Sequence, residues 1–243
     1  LIDIHCHILP GLDDGAGNMS DAIEMAELAV SSGIKSIIAT PHCNIPGGFR
    51  NYWGLSLEED IRTLKDELRK RNINVNIYQG QEVFLASGFL EMLHQGKLIT
   101  LNDSRYMLVE FDFEERADIA YRKLQQVLAA GCIPIVAHPE RYGFVNEQNE
   151  AVYRMKDLGA LLQVNRGSIK GAFGTTAMEK ALEILSSYQA DFIATDAHSP
   201  YSRTPYLADV HEFISEGISP EYGDVLIKVN PRKVLNDEKI YSF

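Results

Sequence analysis

The segment IPIVAHPER, residues 133–141, decides the fold. An apolar run rich in β-branched residues stops at a histidine followed by proline, so a buried strand delivers an imidazole at its C-terminal end. The same construction recurs on either side of it. IDIHCH (2–7) places His5 and His7 two apart, on one face of a strand, and SIIATPH (36–42) ends on His42. FIATDAH (192–198) runs into Asp196 and His198, Glu82 follows a strand over 75–79, and Glu110 sits inside YMLVEF (106–111). A carboxylate in an apolar strand costs several kcal/mol unless it is paired or bound to a cation, roughly as burial of any lone charge does.

Amphipathic helical stretches separate these strands. Apolar residues at helical spacing predict helices over 20–32 and 57–68, the second started by a capping box at Ser56-Leu57-Glu58-Glu59. Further helices are predicted over 85–93, 117–130, 148–158, 175–188 and 207–216, with strands over 132–137 and 161–164. About seven β-α units follow one another, without a linker-like composition shift, low-complexity stretch or fixed-period repeat. In such a chain all strand C-termini face one side. A doubly wound sheet gathers its site at one switch point, whereas polar residues from nearly every strand meet only if the sheet closes. The expectation is therefore one domain over 1–243, a distorted (β/α)7 TIM-like barrel.

Composition narrows the partners. With 23 Lys+Arg against 34 Asp+Glu the net charge is -11, a surface that repels bare nucleic acid and anionic membranes. No apolar run reaches the ~18 residues of a membrane span, and the first residues lack the basic and apolar regions of a signal peptide. Three cysteines make no disulfide framework, so a cytoplasmic location is expected.

The candidate ligands are His5, His7, Asp14, His42, Glu82, Glu110, His138, Asp196 and His198. Taken singly, most have ordinary readings; Asp13-Asp14-Gly15 is also a turn sequence. Taken together, nine ligands exceed what one divalent ion accepts, so two or three ions are expected. Imidazole and carboxylate without thiolate suit Mn, with Fe or Zn as alternatives. Four carboxylates with three divalent ions leave about +2, a cavity suited to a phosphomonoester dianion. Arg141 and Arg203 follow ligands closely and are the candidate phosphate forks, with Arg166 a weaker one. Asp196 and His198 join the two arginines as candidate catalytic residues.

With these residues in hand, the chain resembles the polymerase-and-histidinol-phosphatase (PHP) superfamily. Within it, the chain is similar to the manganese-dependent protein-tyrosine phosphatases of Gram-positive bacteria associated with capsular or exopolysaccharide regulation. The stretches that carry the resemblance are IDIHCHILPGLDDGA (2–16), ATPH (39–42), GQE (80–82), LNDSRYMLVEF (101–111), IPIVAHPER (133–141) and ATDAHSPYSRTPY (194–206). It thins after about residue 216, and Leu1 stands where the family pattern has Met. The resemblance implies three metal ions. One would take His5, His7, Glu82 and Asp196; a second Glu82, Glu110 and His138; a third Asp14, His42 and His198. It also implies a tyrosine-phosphorylated protein as substrate, the tail of a bacterial tyrosine kinase. The aromatic residues Phe49, Tyr52, Trp53, Tyr201 and Tyr206 are candidates for a rim that receives the ring.

Four rivals share parts of this pattern. His42-Cys43 with Arg50 mimics the phosphate loop of cysteine-dependent phosphatases, but six residues separate Cys43 from Arg50 where that loop has five. A metal-dependent amidohydrolase usually has a bridging lysine where this chain has Glu82. A histidinol-phosphate phosphatase belongs to the same superfamily. A non-catalytic scaffold for a kinase would leave costly buried carboxylates idle.

Overall fold

The computed structural model describes residues 1–148, 150–241 and 243. Its strands are β1 (Ile2–Cys6), β2 (Ser36–Ala39), β3 (His42–Cys43), β4 (Asn76–Gln79), β5 (Glu82–Phe84), β6 (Tyr106–Glu110), β7 (Ile133–Ala137), β8 (Leu161–Asn165) and β9 (Phe192–Ala194). Every strand pairing is parallel. One sheet has the order β1-β2-β4 and the other β3-β5-β6-β7-β8-β9. The two sheets are halves of one closed wall. β2 and β3 are a single stave broken at Thr40-Pro41, where proline has no N–H to pair. β4 and β5 are another, broken at Gly80-Gln81. A Cβ on Gly80 would come within 2.8 Å of Ile38 Cγ2 and 2.9 Å of Leu101 Cδ2, so only glycine fits that break. Counting each broken stave once leaves seven, and the bridge between Cys6 and Ala197 joins the end of β1 to the segment after β9. This is the expected distorted (β/α)7 barrel.

The lumen is packed rather than hollow. Ile4, Ile38, Tyr106, Leu108, Ile135, Leu161, Phe192 and Ala194 form one apolar cluster with Val234 and Ile240. Alternation then dictates what lies above it. On β6, Tyr106, Leu108 and Glu110 share the lumen face, and on β8 Leu161, Gln163 and Asn165 do. Polar residues thus cap the apolar lumen at the strands' C-terminal end. The C-terminal stretch closes the opposite end. Tyr106 Oη donates to the Glu238 carbonyl at 2.7 Å and accepts from Ile240 N–H, and Arg105 pairs with Asp237.

Outside the barrel a larger core takes the apolar faces of the helices. The helix Leu55–Lys70 buries Leu57, Ile61, Leu64 and Leu68, spaced three or four apart; each contributes about 1.5–3 kcal/mol by leaving water. Its start departs from expectation. Gly54 occupies the N-cap with no side-chain bond, and Ser56 lies inside the first turn. The stretch 85–93 is helical only over Phe89–His94. Where one helix over 148–158 was expected there are Gly143–Glu147 and Ala151–Leu158; Gln148 is extended, and Asn149 lies outside the described residues. Burial of Phe144 and Val145 favours the extra turn. No helix among the described residues is long and apolar enough to cross a membrane.

Candidate metal centre

All nine expected ligands converge at the C-terminal mouth of the barrel. Glu82 sits at the middle: its carboxylate lies 3.2 Å from His5 Nε2, 3.3 Å from His7 Nε2, 2.9 Å from His42 Nδ1 and 2.9 Å from His138 Nε2. Three sets of donor atoms lie close enough to share a cation: His5, His7 and Asp196; His42, Glu82 and Glu110; and His7, Asp14, His42 and His198. The grouping differs from the expected one at the junctions. His42 pairs with Glu110 Oε1 at 3.0 Å as well as facing Asp14 at 3.5 Å, and His7 belongs to two sets. His138 touches the centre through Glu82 rather than Glu110.

The donor set passes a chemical test for cations. Gln163 Nε2 donates to Asn165 Oδ1 at 2.8 Å, so Gln163 presents its carbonyl to His5 Nδ1, 2.8 Å away. His5 Nδ1 must then carry the proton, leaving a lone pair on Nε2. His7 Nδ1–H donates to Asp13 Oδ2 at 2.8 Å, which leaves a lone pair on its Nε2 too. These two nitrogens face each other at 3.1 Å, with Asp196 Oδ1 3.4 Å from both and Glu82 Oε2 close by. With both rings neutral, four acceptors converge without a donor between them. Glu82 Oε2 and His198 Nε2 are buried without hydrogen-bond partners. A divalent ion satisfies such a cluster, and imidazole with carboxylate is the ligand chemistry of Mn, Fe or Zn.

The titration tendencies say the same. Burial works against a charged Glu82, yet His5 and His42 hold its carboxyl well below the usual range. Burial likewise opposes ionised Asp196, and His5, His7 and Arg203 outweigh it. Burial, with the charge of Glu82, pushes Glu110 up to about 7. Burial also disfavours imidazolium at His7, but Asp13 and then Asp196 and Glu82 raise its proton affinity well above normal. His138, deep and facing Arg141, falls to about 4 chiefly through burial. The site attracts positive charge to its centre.

Three residues of the site have left-handed backbone. His138, Asp196 and Arg203 have φ of +38°, +49° and +50°. The left-handed region costs a residue with a Cβ about 1–2 kcal/mol, so packing must hold each in place.

A cavity of about 330 Å³ opens onto the ligands, lined by Phe49, Phe84, Phe113, Arg141 and Arg203 among others. A wider groove of about 820 Å³ runs past Arg116, Tyr121 and Phe144 but contains none of the nine ligands, so the chemistry belongs to the smaller one. Arg203 Nη2 lies 2.5 Å and Arg141 Nη1 3.7 Å from Asp196 Oδ2. Arg166 is not on this rim: its Nε and Nη2 each donate to Asp209 at 2.9 Å. Of the five expected rim aromatics only Phe49 lines the cavity, its ring parallel to His42 at 6.0 Å. Tyr52 bonds Asn44 and Trp53 packs on the core; Tyr201 reaches Glu24, and Tyr206 lies against Arg166. Phe84, Phe111 and Phe113 take their place, and the phenylalanines of LVEFDF (108–113) flanking Glu110 were the available signal.

Asp13, Gln163 and Asn165 stand behind the nine expected residues and were not among them; Asp13 was read only as part of the Asp13-Asp14-Gly15 turn sequence. Asp13 accepts from His7 and from the His42 and Gly15 N–H groups, and Asn165 Nδ2 donates to Asp196 Oδ2 at 2.6 Å. Cys43 is buried; its thiol donates to the Arg50 carbonyl and burial pushes it up to about 12, the reverse of an activated nucleophile.

The sequence model for capsular polysaccharide synthesis CpsB/CapC matches residues 1–236, further along the chain than the motifs alone suggested. A tyrosine-protein phosphatase, YwqE of Bacillus subtilis, is 34% identical over 241 residues, covering 99% of this chain and 94% of the relative. A putative tyrosine-protein phosphatase, CapC of Staphylococcus aureus, is 31% identical over 84% of this chain and 79% of its own length. A solved structure described with YwqE of B. subtilis and CpsB of Streptococcus pneumoniae as unique metal-dependent tyrosine phosphatases superposes with a TM-score of 0.92. It shares 33% identity and covers 100% of this chain and 97% of the other. An organophosphorus hydrolase from Deinococcus radiodurans has a TM-score of 0.59 at 13% identity, covering 96% and 92%, and shares the fold.

Proposed function

This chain belongs to the capsular polysaccharide synthesis CpsB/CapC family, and on that footing we propose that it is a metal-dependent protein-tyrosine phosphatase. The observation that carries the reading is the meeting of the imidazole–carboxylate cluster with two guanidinium groups at Asp196, in one cavity. We assign His5, His7, Asp14, His42, Glu82, Glu110, His138, Asp196 and His198 to three divalent ions, manganese by preference. When bound, such ions supply an activated water nucleophile and positive charge for the phosphoryl oxygens.

The protein's own residues do the rest. Arg203 and Arg141 both line the cavity and keep part of their side chains exposed to it, so both have guanidinium donors to offer phosphoryl oxygens. Gln163 and Asp13 fix the tautomers of His5 and His7, and Asn165 steadies Asp196. Phe49 and Phe113 present apolar surface at the cavity mouth. A tyrosyl leaving group has a pKa near ~10 and departs with less protonation than a serine alkoxide, so this site suits aryl esters.

The natural substrate in this reading is phosphotyrosine on a protein, the tyrosine-rich tail of a bacterial tyrosine kinase that governs polysaccharide export. The deciding experiment is elemental analysis of the purified protein alongside turnover of phosphotyrosine and phosphoserine forms of one peptide and of histidinol phosphate. Preferential turnover of phosphotyrosine by metal-loaded protein is expected. Faster turnover of histidinol phosphate would reassign the substrate while keeping the metal centre.

A further inference from the structure

Neither arginine stands alone at the cavity rim. The guanidinium carbon of Arg141 lies 4.4 Å from the centre of the Phe113 ring and 4.3 Å from that of Phe173. That of Arg203 lies 5.4 Å from the same Phe173 ring. Phe173 therefore touches both cations that converge on Asp196 Oδ2. Two guanidinium groups drawn to one oxygen repel each other. An aromatic face against each offsets part of that repulsion and restricts the plane of its fork, which a two-pronged grip on phosphate requires.

The seat of that ring is built as well. Gly167 lies in the short helix Arg166–Ile169, where glycine is a poor choice on propensity. A Cβ at this position would come within 2.6 Å of Phe173 Cε2 and 3.3 Å of Cζ. These are outer atoms of one side chain, so the ring would swing aside rather than the backbone yield. A missing Cβ is what lets Phe173 reach both arginines.

We propose that Phe173 is a positioning residue that sets the separation and planes of the Arg141 and Arg203 forks, with Gly167 as its seat. This rests on the reading that those two arginines hold the phosphoryl group. Phe173 itself needs no contact with the substrate.

The test uses the metal-loaded enzyme, with inorganic phosphate as competitive inhibitor and a phosphotyrosine peptide as substrate. Phe173→Leu keeps apolar bulk but removes the π face. It should raise the phosphate inhibition constant and KM about tenfold, with a smaller fall in kcat and unchanged metal content. Phe173→Trp should recover most of the loss. Gly167→Ala should shift the phosphate constant in the same direction while the melting temperature holds, which keeps the test valid should the leucine variant fold poorly. Added to Arg141→Ala/Arg203→Ala, Phe173→Leu should do nothing further. Wild-type phosphate inhibition in both Phe173→Leu and Gly167→Ala would overturn the proposal, as would an equal loss in the arginine-free background. Wild-type phosphate inhibition in Arg141→Ala/Arg203→Ala itself would instead overturn the reading of the arginines.

Discussion

Gln163 Oε1 accepts the Nδ1–H of His5 at 2.8 Å, and that bond decides which nitrogen of His5 faces the metal centre. Its direction is fixed from behind, because Gln163 Nε2 donates to Asn165, which in turn donates to Asp196. β8 thus supplies none of the proposed ligands but holds two of them, His5 and Asp196. Gln163→Leu keeps the volume and removes the acceptor, so His5 loses its tautomer preference. Metal affinity should fall about 10–100-fold, as for other partners of ligating histidines. Metal titration by calorimetry checks this; an unchanged affinity would show that His5 is oriented by packing alone.

Activity should depend on metal and not on cysteine. Chelator is expected to abolish phosphatase turnover and Mn²⁺ to restore it, whereas Cys43→Ser should stay active. The Cys43 thiol is held protonated by burial and is bonded to the Arg50 carbonyl. An inactive Cys43→Ser protein that is folded and carries its full metal content would return the cysteine mechanism to consideration.

Arg203→Ala removes both the 2.5 Å contact to Asp196 and a buried donor without another partner. It should lower kcat/KM by about 10²–10³, the usual loss for one donor to developing charge. Arg141→Ala, farther from Asp196 at 3.7 Å, should lose less. Steady-state kinetics with metal analysis of each variant separate loss of the phosphate grip from loss of ions.

Much of this centre was legible in the sequence because strand period and strand end carry the information. An apolar run that stops at His138, or holds Glu110 within it, states both where the residue lies and that it needs a partner. The partners behind the ligands were not legible. Gln163 and Asn165 look like ordinary polar residues of a half-buried strand, and only closure of the barrel turns their face toward His5 and Asp196. Asp13 beside Asp14 reads as turn chemistry until His7 is seen to donate to it. The aromatic rim failed for a related reason: Tyr52 and Trp53 are near His42 in sequence, but the core claims them, while Phe113 arrives from the loop after β6. The broken staves were hidden too, since β3 and β5 are only two and three residues long.

Stability away from the centre rests partly on Lys156, whose Nζ lies 2.6 Å from both oxygens of Asp191. Asp191 is nearly fully buried and also accepts Leu162 N–H. Lys156→Met leaves that carboxylate without its counter-charge and should destabilise the fold by about 3 kcal/mol at neutral pH. Burial already raises the Asp191 carboxyl above its ordinary value, and Lys156 opposes that rise. In the variant the folded-state value rises further, so the folded state binds a proton that the unfolded state does not. The deficit relative to wild type is therefore full above the variant's raised value and fades as pH falls to the wild type's own folded-state value, which itself lies above the unfolded carboxyl value of about 3.9. Denaturant melts of both proteins across that range should show the two curves converging in acid; a constant gap would place the Lys156 contribution in packing rather than charge.

The cavity mouth should tell aryl from alkyl phosphates through Phe49. Its ring is parallel to His42 at 6.0 Å, its exposure is 36%, and it lines the cavity across which Arg141 and Arg203 stand. An incoming tyrosyl ring has that face to pack against, and an aromatic contact of this kind adds about 0.5–1.5 kcal/mol beyond area burial. A seryl phosphate brings no ring, so it gains nothing from Phe49 and also has the poorer leaving group. Phe49→Ala should therefore raise KM for a phosphotyrosine peptide roughly threefold to tenfold. It should leave the slow turnover of the matching phosphoserine peptide within about twofold, and phosphate inhibition unchanged, because neither uses the ring. Phe49→Leu, which keeps apolar area without the π face, should fall between the two. Kinetics of both peptides against all three proteins measure this directly. Equal losses on phosphotyrosine and phosphoserine would mean that Phe49 serves His42 and the metal centre rather than the substrate ring, and discrimination would then rest on the leaving group alone.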